Sequence, residues 1–74
     1  MDDRMKKGVV VARATFQDAY AGDVPVELRK SGKGYLWSSP ESFIHVGYRA
    51  VRSPERALYN ARIDRRFSEV TVNG

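Results

Sequence analysis

The sequence predicts a small α+β domain, in which an antiparallel sheet of three to four strands is combined with one C-terminal helix. Three observations lead to this prediction. Stretches such as 24–30 and 67–72 alternate apolar and polar residues with the period of two that strands have. Gly32 and Gly34 interrupt the alternation as a hairpin turn does. One run of strong helix formers without a breaker comes after Pro54 and predicts the helix.

The first half of the chain predicts three strands. Residues 8–16 are rich in valine and apolar on both faces near their start, so we expect a central strand or one covered on both sides. A turn that closes at Gly22 comes next. Residues 24–30 predict a half-buried strand, in which Pro25 suits an edge or a strand start. Residues 35–38 return as its hairpin partner.

The second half predicts a strand, a helix and a last strand. Residues 43–51 alternate like a strand, with Gly47 as a bulge or a close backbone approach. A helix of about three turns begins at Pro54 and has apolar residues on two sides. One side carries Ala57, Leu58 and Ala61, and the other carries Tyr59 and Ile63. Residues 67–72 predict a short final strand.

The tripeptide Ser-Pro-Glu occurs twice, at residues 39–41 and 53–55. A serine accepts hydrogen bonds at a helix N-cap, a proline suits the first helical position, and a glutamate complements the helix dipole. The second copy therefore predicts the start of the helix, and the first predicts one shorter turn before the strand at Phe43. Proline-directed phosphorylation is the alternative interpretation, but capping accounts for each residue type in its place.

Length and composition limit the class of protein. With 74 residues the chain forms one domain at most, and we expect residues 8–74 to form it and the polar, aperiodic residues 1–7 to be mobile. A core of this size provides about 3 to 5 kcal/mol of net stability, too little to support a deep, water-free active site. The absence of cysteine fits a reducing compartment. Because the start of the chain lacks the features of a signal peptide, and no apolar run could cross a membrane, we expect a cytoplasmic protein.

No complete catalytic or metal motif is present. His45 is the only histidine, which excludes a two-histidine metal site. A Ser-His-Asp triad would need Asp23 or Asp64 beside it, and the sequence has no nucleophile elbow. Lys33 lies between glycines without the rest of a phosphate-loop pattern. We therefore expect a non-enzymatic protein that uses no cofactor or metal, and we expect His45 to be dispensable for its function.

The basic excess is distributed through the chain. Thirteen Lys and Arg against nine Asp and Glu give a net charge of +4 and a pI near 9.8. After residue 37 every lysine or arginine is an arginine. The planar guanidinium fork suits phosphates and carboxylates, so this region favours a specific anionic contact. Ordinary surface arginines are an equally common explanation.

The candidate binding residues are basic side chains and two aromatic ones. Tyr35 and Trp37 share one face of a predicted strand directly after a basic stretch, and such aromatics can stack on single-stranded bases. The single tryptophan of a small domain is nonetheless more often part of the core. The whole candidate set is Lys6, Lys7, Arg29, Lys30, Lys33, Tyr35, Trp37, Arg52, Arg56, Arg62, Arg65 and Arg66.

These features favour a function that depends on binding. We expect a small regulatory protein whose basic surface docks on an acidic protein surface of the transcription or nucleic-acid machinery, as many bacterial and phage regulators of this size dock on RNA polymerase. Direct binding of DNA or RNA is the first alternative, although the chain has no helix-turn-helix, RNP-type or zinc-knuckle signature. A structural or assembly subunit that associates with itself through Tyr59 and Ile63 is the second, and an enzyme comes last.

Overall fold

The computed structural model describes residues 9–41 and 44–73. Within these ranges the chain forms β1 (Val10–Asp18), β2 (Gly22–Ser31), β3 (Gly34–Ser38), α1 (Pro54–Ile63) and β4 (Phe67–Val72). The four strands form one antiparallel sheet in the order β3-β2-β1-β4. The predicted class, a small α+β fold with one C-terminal helix, is confirmed. The segment predicted to be mobile, residues 1–7, lies outside the described residues.

The strand β1 is central in the sheet, as its apolar sequence predicts. It pairs with β2 along one side and with β4 along the other, and each ladder contains one register shift. The shift beside β4 is accompanied by Glu69, whose positive φ of 54° is uncommon for a residue other than glycine. Its carboxylate accepts a hydrogen bond from the Thr15 hydroxyl over 2.9 Å. This bond holds the irregular stretch of β4 against the central strand.

Pro25 occupies an internal strand without disturbing the sheet. It pairs with Thr15 of β1 and lies beyond the last β2–β3 pair, which joins Glu27 to Ser38. The strand β2 therefore has no β3 neighbour at this position, and the missing proline amide removes no bond to it. The prediction that Pro25 occupies an edge is therefore correct at this position, although β2 as a whole is an internal strand.

One face of the sheet carries the core. The helix α1 and the segment 44–52 contribute buried residues on that face. The Phe67 ring makes edge-to-face contacts with Phe16, Trp37 and Tyr48, at centroid distances of 5.3, 5.1 and 5.9 Å. Among the described residues, the buried hydrophobic ones are Ala12, Ala14, Phe16, Val24, Val26, Leu28, Trp37, Ile44, Val46, Ala57, Ala61 and Phe67. Aromatic contacts thus join the sheet to the layer that covers it.

The helix begins where the second Ser-Pro-Glu copy predicts. Ser53 has extended backbone angles and its hydroxyl accepts a hydrogen bond from the Arg56 amide over 3.1 Å. Pro54 occupies the first turn and Glu55 adds a negative charge there. The helix is followed by Asp64, whose amide donates to the Ala61 carbonyl. Capping by the second tripeptide is confirmed.

The first Ser-Pro-Glu copy forms a shorter turn. The Ser39 hydroxyl accepts a hydrogen bond from the Glu41 amide over 3.0 Å, and the Glu41 carbonyl accepts one from the Ile44 amide over 3.1 Å. No helix comes directly after this turn in the described residues. The same tripeptide can therefore begin either a helix or a single turn, and the residues that follow it decide which of the two forms.

The predicted strand at residues 43–51 is wrong over residues 44–51, and residue 43 lies outside the described residues. Residues 44–50 pair with no strand, and only Val51 forms an isolated bridge, with Tyr35 of β3. The alternation is nevertheless real, because Ile44 and Val46 are buried and the residue between them is exposed. This segment buries its apolar residues by covering the sheet, which produces the same two-residue period as pairing with it.

Candidate functional site

The candidate residues occupy four different places in the fold. Lys6 and Lys7 lie outside the described residues. Of the others, Arg29 lies on the outer face of the sheet, some lie at the β2–β3 hairpin, some along or beside α1, and one in the core. Each group has its own environment within residues 9–41 and 44–73.

Trp37 belongs to the core and cannot serve as an exposed stacking platform. It is 3% exposed, and its Nε1 donates a hydrogen bond to the Ala57 carbonyl over 2.9 Å. Pairing with the buried Leu28 places it on the inner face of the sheet. This corrects the candidate set: Tyr35 and Trp37 do share a face, but α1 and the segment 44–52 cover that face.

Tyr35 contacts Lys30 through its ring and pairs with Val51 through its backbone. The Lys30 ammonium lies 5.8 Å from the centre of its ring, close enough for a cation–π contact. Its amide donates to the Val51 carbonyl over 2.6 Å, and its carbonyl accepts from the Val51 amide over 2.9 Å. Tyr35 is only half-buried, but its described contacts are structural ones.

Two of the candidate arginines form ion pairs within the chain. Arg29, on the outer face of the sheet, donates from Nε and Nη2 to Glu27 Oε1 over 3.1 and 2.7 Å. Glu27 also lies 3.7 Å from Arg13 on the neighbouring strand. Arg66 donates to Asp64 from the same two nitrogens. Charge in these places is balanced by carboxylates of the chain itself, which sequence reasoning did not foresee.

The Arg66 pair belongs to a network at the end of α1. Asp64 accepts from Arg66 Nε and Nη2 over 3.1 and 2.7 Å and from the Tyr48 hydroxyl over 2.8 Å. The bonds from Arg66 hold the pKa of the Asp64 carboxyl below its ordinary value, against the opposing effect of burial. Burial, together with the bond to Asp64, raises the pKa of Tyr48. The guanidinium also lies 5.0 Å from the Phe16 ring centre.

His45 lies at the edge of a concavity of about 420 Å³ at this end of the molecule. The same concavity is lined by Asp18, which accepts hydrogen bonds from the Ala21 and Tyr20 amides over 2.9 and 3.0 Å. These bonds lower the pKa of Asp18, and they show that its carboxylate stabilises the β1–β2 turn. No described serine, threonine or cysteine lines this concavity. In residues 9–41 and 44–73, no three His, Asp or Glu side chains are grouped as a metal site requires.

The solvent face of α1 combines exposed apolar and basic residues. Tyr59 and Ile63 are 54% and 63% exposed and lie one turn apart on the same side. At about 100° per residue, they fall between Arg56 and Arg62 around the helix axis. The Arg56 guanidinium lies 5.7 Å from the Tyr59 ring centre. We call these four residues the α1 outer face; Arg65, also exposed, lies just beyond the helix.

A second basic group lies at the β2–β3 hairpin. Lys33 at the hairpin tip and Arg52 just before α1 line one concavity of about 700 Å³, together with Gly34, Ala50 and Val51. We call it the basic cleft. Both cations were in the candidate set, but their proximity depends on the Tyr35–Val51 bridge between distant segments. No local sequence signal could have indicated it.

No family model matches the chain, and no curated protein or solved structure is significantly similar to it. Separately, α1, the one helix within the described ranges, is too short and too polar to cross a membrane.

Proposed function

We propose that the chain is a small non-enzymatic regulatory protein of the cytoplasm that docks, through the α1 outer face, on an acidic protein surface of the transcription or nucleic-acid machinery, such as RNA polymerase. The observation that carries the proposal is the pair Tyr59 and Ile63, exposed at the centre of a helix face and flanked by arginines. Protein interfaces commonly have an apolar, aromatic centre with a charged rim, and arginine and tyrosine are enriched at their energetic centres.

The composition of the α1 outer face supports a protein partner over nucleic acid. A surface that tracks a phosphate backbone needs cations throughout, whereas Tyr59 and Ile63 would place apolar area against phosphates. Trp37 provides no aromatic platform for single-stranded bases, because it is buried. Arg56 and Arg62 then suit carboxylates around an apolar groove.

The same face argues against self-association. A two-fold axis through Tyr59 that pairs two antiparallel copies of α1 would bring Arg56 of one copy beside Arg62 of the other. Like charges at such a contact disfavour it, and Glu55 provides only one compensating charge per copy. An acidic partner replaces this repulsion with attraction.

Binding to purified bacterial RNA polymerase, measured by biolayer interferometry, tests the proposal. Tyr59→Ser with Ile63→Ser should weaken binding about tenfold or more, because the apolar centre of the contact is lost. Tyr20→Ser is the matched control, since Tyr20 is 99% exposed and belongs to the β1–β2 turn rather than to α1. Light scattering on the same samples reports any dimer.

Two results would contradict the proposal. Equal affinities of the double variant and the parent chain would remove the α1 outer face from the contact. Absence of polymerase binding, together with an affinity for DNA or RNA that falls with a log–log salt slope of about −0.7 to −0.9 per phosphate, would establish the direct nucleic-acid binder instead.

A further inference from the structure

We infer that the basic cleft is a phosphate-binding site, separate from the α1 outer face and independent of the function proposed for it. The ligand class is a phosphate group, carried either by a small phosphorylated molecule or by a nucleic-acid backbone. Three features of the cleft support this ligand: its charge, its rigidity and its position beside the start of α1.

The cations of the basic cleft have no counter-charge within the described part of the chain. Neither Lys33 nor Arg52 forms an ion pair or a side-chain hydrogen bond with another described residue. No described carboxylate lines the cleft. The concavity at the other end of the molecule differs, since Asp18 and Arg66 line it together. A bound anion would supply the charge that the basic cleft lacks.

The Arg52 guanidinium and the Lys33 ammonium are both suited to binding a phosphate. An arginine fork donates two parallel hydrogen bonds to phosphate oxygens, and a lysine adds a compact positive charge with three donors. The neighbouring Lys30 is engaged with the Tyr35 ring. Lys33 and Arg52 are the two cations that line the cleft.

The backbone of the basic cleft is already held in place. Two hydrogen bonds between Tyr35 and Val51 tie the hairpin to the segment before α1. Gly34 packs so closely that an added Cβ would lie 3.1 Å from both the Ala50 Cβ and the Val51 carbonyl oxygen. Only the two long side chains have to become ordered when a ligand binds, which keeps the entropic cost low.

The start of α1 adds to the positive potential beside the cleft. Arg52 lies one residue before the N-cap Ser53, and the ten-residue helix directs the positive end of its dipole toward this region. Glu55 in the first turn offsets part of this charge. Lys33 and Arg52 carry the site, and the helix dipole reinforces them.

Titration of the full chain followed by amide NMR tests the inference in two arms at constant ionic strength. One arm uses inorganic phosphate and the other a single-stranded oligothymidylate of about eight nucleotides. We expect saturable shifts at the Gly34 and Val51 amides. Saturation by phosphate alone identifies a small phosphorylated ligand, and tighter saturation by the oligonucleotide identifies a nucleic-acid backbone.

Two double variants with equal charge provide the comparison. Lys33→Gln with Arg52→Gln, and Arg62→Gln with Arg65→Gln, each remove two of the positive charges and lower the net charge from +4 to +2. The cleft variant should lose about tenfold or more in affinity, while the helix variant should change by less than about threefold. Equal losses would mean that net charge alone attracts the anion and would overturn the inference, as would the absence of saturable shifts in both arms.

Tyr59→Ser with Ile63→Ser separates this inference from the proposed function. That variant should bind both phosphate probes as the parent chain does, because its changes lie on the α1 outer face. If this α1 variant loses polymerase binding but keeps phosphate binding, and the cleft variant loses phosphate binding, both ideas are supported. If the α1 variant keeps polymerase binding while the cleft variant loses phosphate binding, the proposed function is contradicted and the phosphate site is supported.

Discussion

The indole Nε1 of Trp37 donates a hydrogen bond to the backbone carbonyl of Ala57 over 2.9 Å. This bond connects the β2–β3 hairpin to α1 across the core, and both residues are almost fully buried. It explains why the tryptophan beside a basic stretch is not an interaction residue. An aromatic side chain whose polar atom is satisfied inside the fold stabilises the fold itself.

The burial of Trp37 makes its fluorescence a direct test. We expect an emission maximum typical of an indole in an apolar environment, and weak quenching by acrylamide. Addition of single-stranded oligonucleotide should leave the emission unchanged, because bases cannot reach the ring. Strong quenching by either agent in the folded protein would contradict the position of Trp37 in the core.

Trp37→Phe should destabilise the fold. The phenyl ring can keep part of the contact with Phe67, but the hydrogen bond to Ala57 is lost. We expect a decrease of about 1 to 3 kcal/mol in the free energy of unfolding, measured by urea denaturation. Tyr59→Phe at an exposed position is the control and should change stability by less than about 0.5 kcal/mol. Similar effects of the two substitutions would contradict the assignment.

Asp64→Asn should lower stability in a manner that depends on pH. The lowered pKa of Asp64 in the folded state means that its carboxylate stabilises the fold at any pH above the unfolded pKa of about 3.9. That contribution is lost as the pH falls below about 4, because the carboxyl must then be protonated. At neutral pH we expect a loss of about 1 to 2 kcal/mol, limited by the half-exposed Arg66 partner.

Urea denaturation at several pH values measures this dependence. The stability difference between the parent chain and Asp64→Asn should shrink steadily between about pH 4 and pH 2. Asp23→Asn, at an exposed residue of β2, is the control and should show little effect at neutral pH. A difference that stayed constant over this range would mean that the network with Arg66 and Tyr48 contributes no pH-dependent stability.

The two Ser-Pro-Glu copies offer a matched pair of substitutions. Ser53→Ala removes the N-cap of α1 and should cost about 0.5 to 2 kcal/mol. Ser39→Ala removes the same residue type from an isolated turn, where its hydroxyl accepts from the Glu41 amide, and should cost less than about 0.5 kcal/mol. Thermal unfolding measured by circular dichroism compares them, and an equal loss would be inconsistent with the different roles of the two copies.

Local signals in the sequence determined the helix and the four strands of the fold, although the same signals also predicted a strand at residues 43–51 that residues 44–50 do not form. Alternation, the turn glycines and the capping tripeptide act over a few residues, and they placed the four strands and the start of α1 at Pro54. They also separated the buried side of α1 from Tyr59 and Ile63, because helical spacing alone decides which side chains share a face. These features required no knowledge of distant contacts.

Tertiary structure decided which partner each face and each charge would meet. Alternation in the segment 44–50 shows that one side is buried, but covering a sheet and pairing within it have the same period. Arg29 pairs with Glu27 and Arg66 pairs with Asp64, and both pairs depend on the direction in which the folded backbone points these side chains. The basic cleft needs Lys33 and Arg52 to meet through a bridge between distant segments, and only the closed fold fixes such a contact.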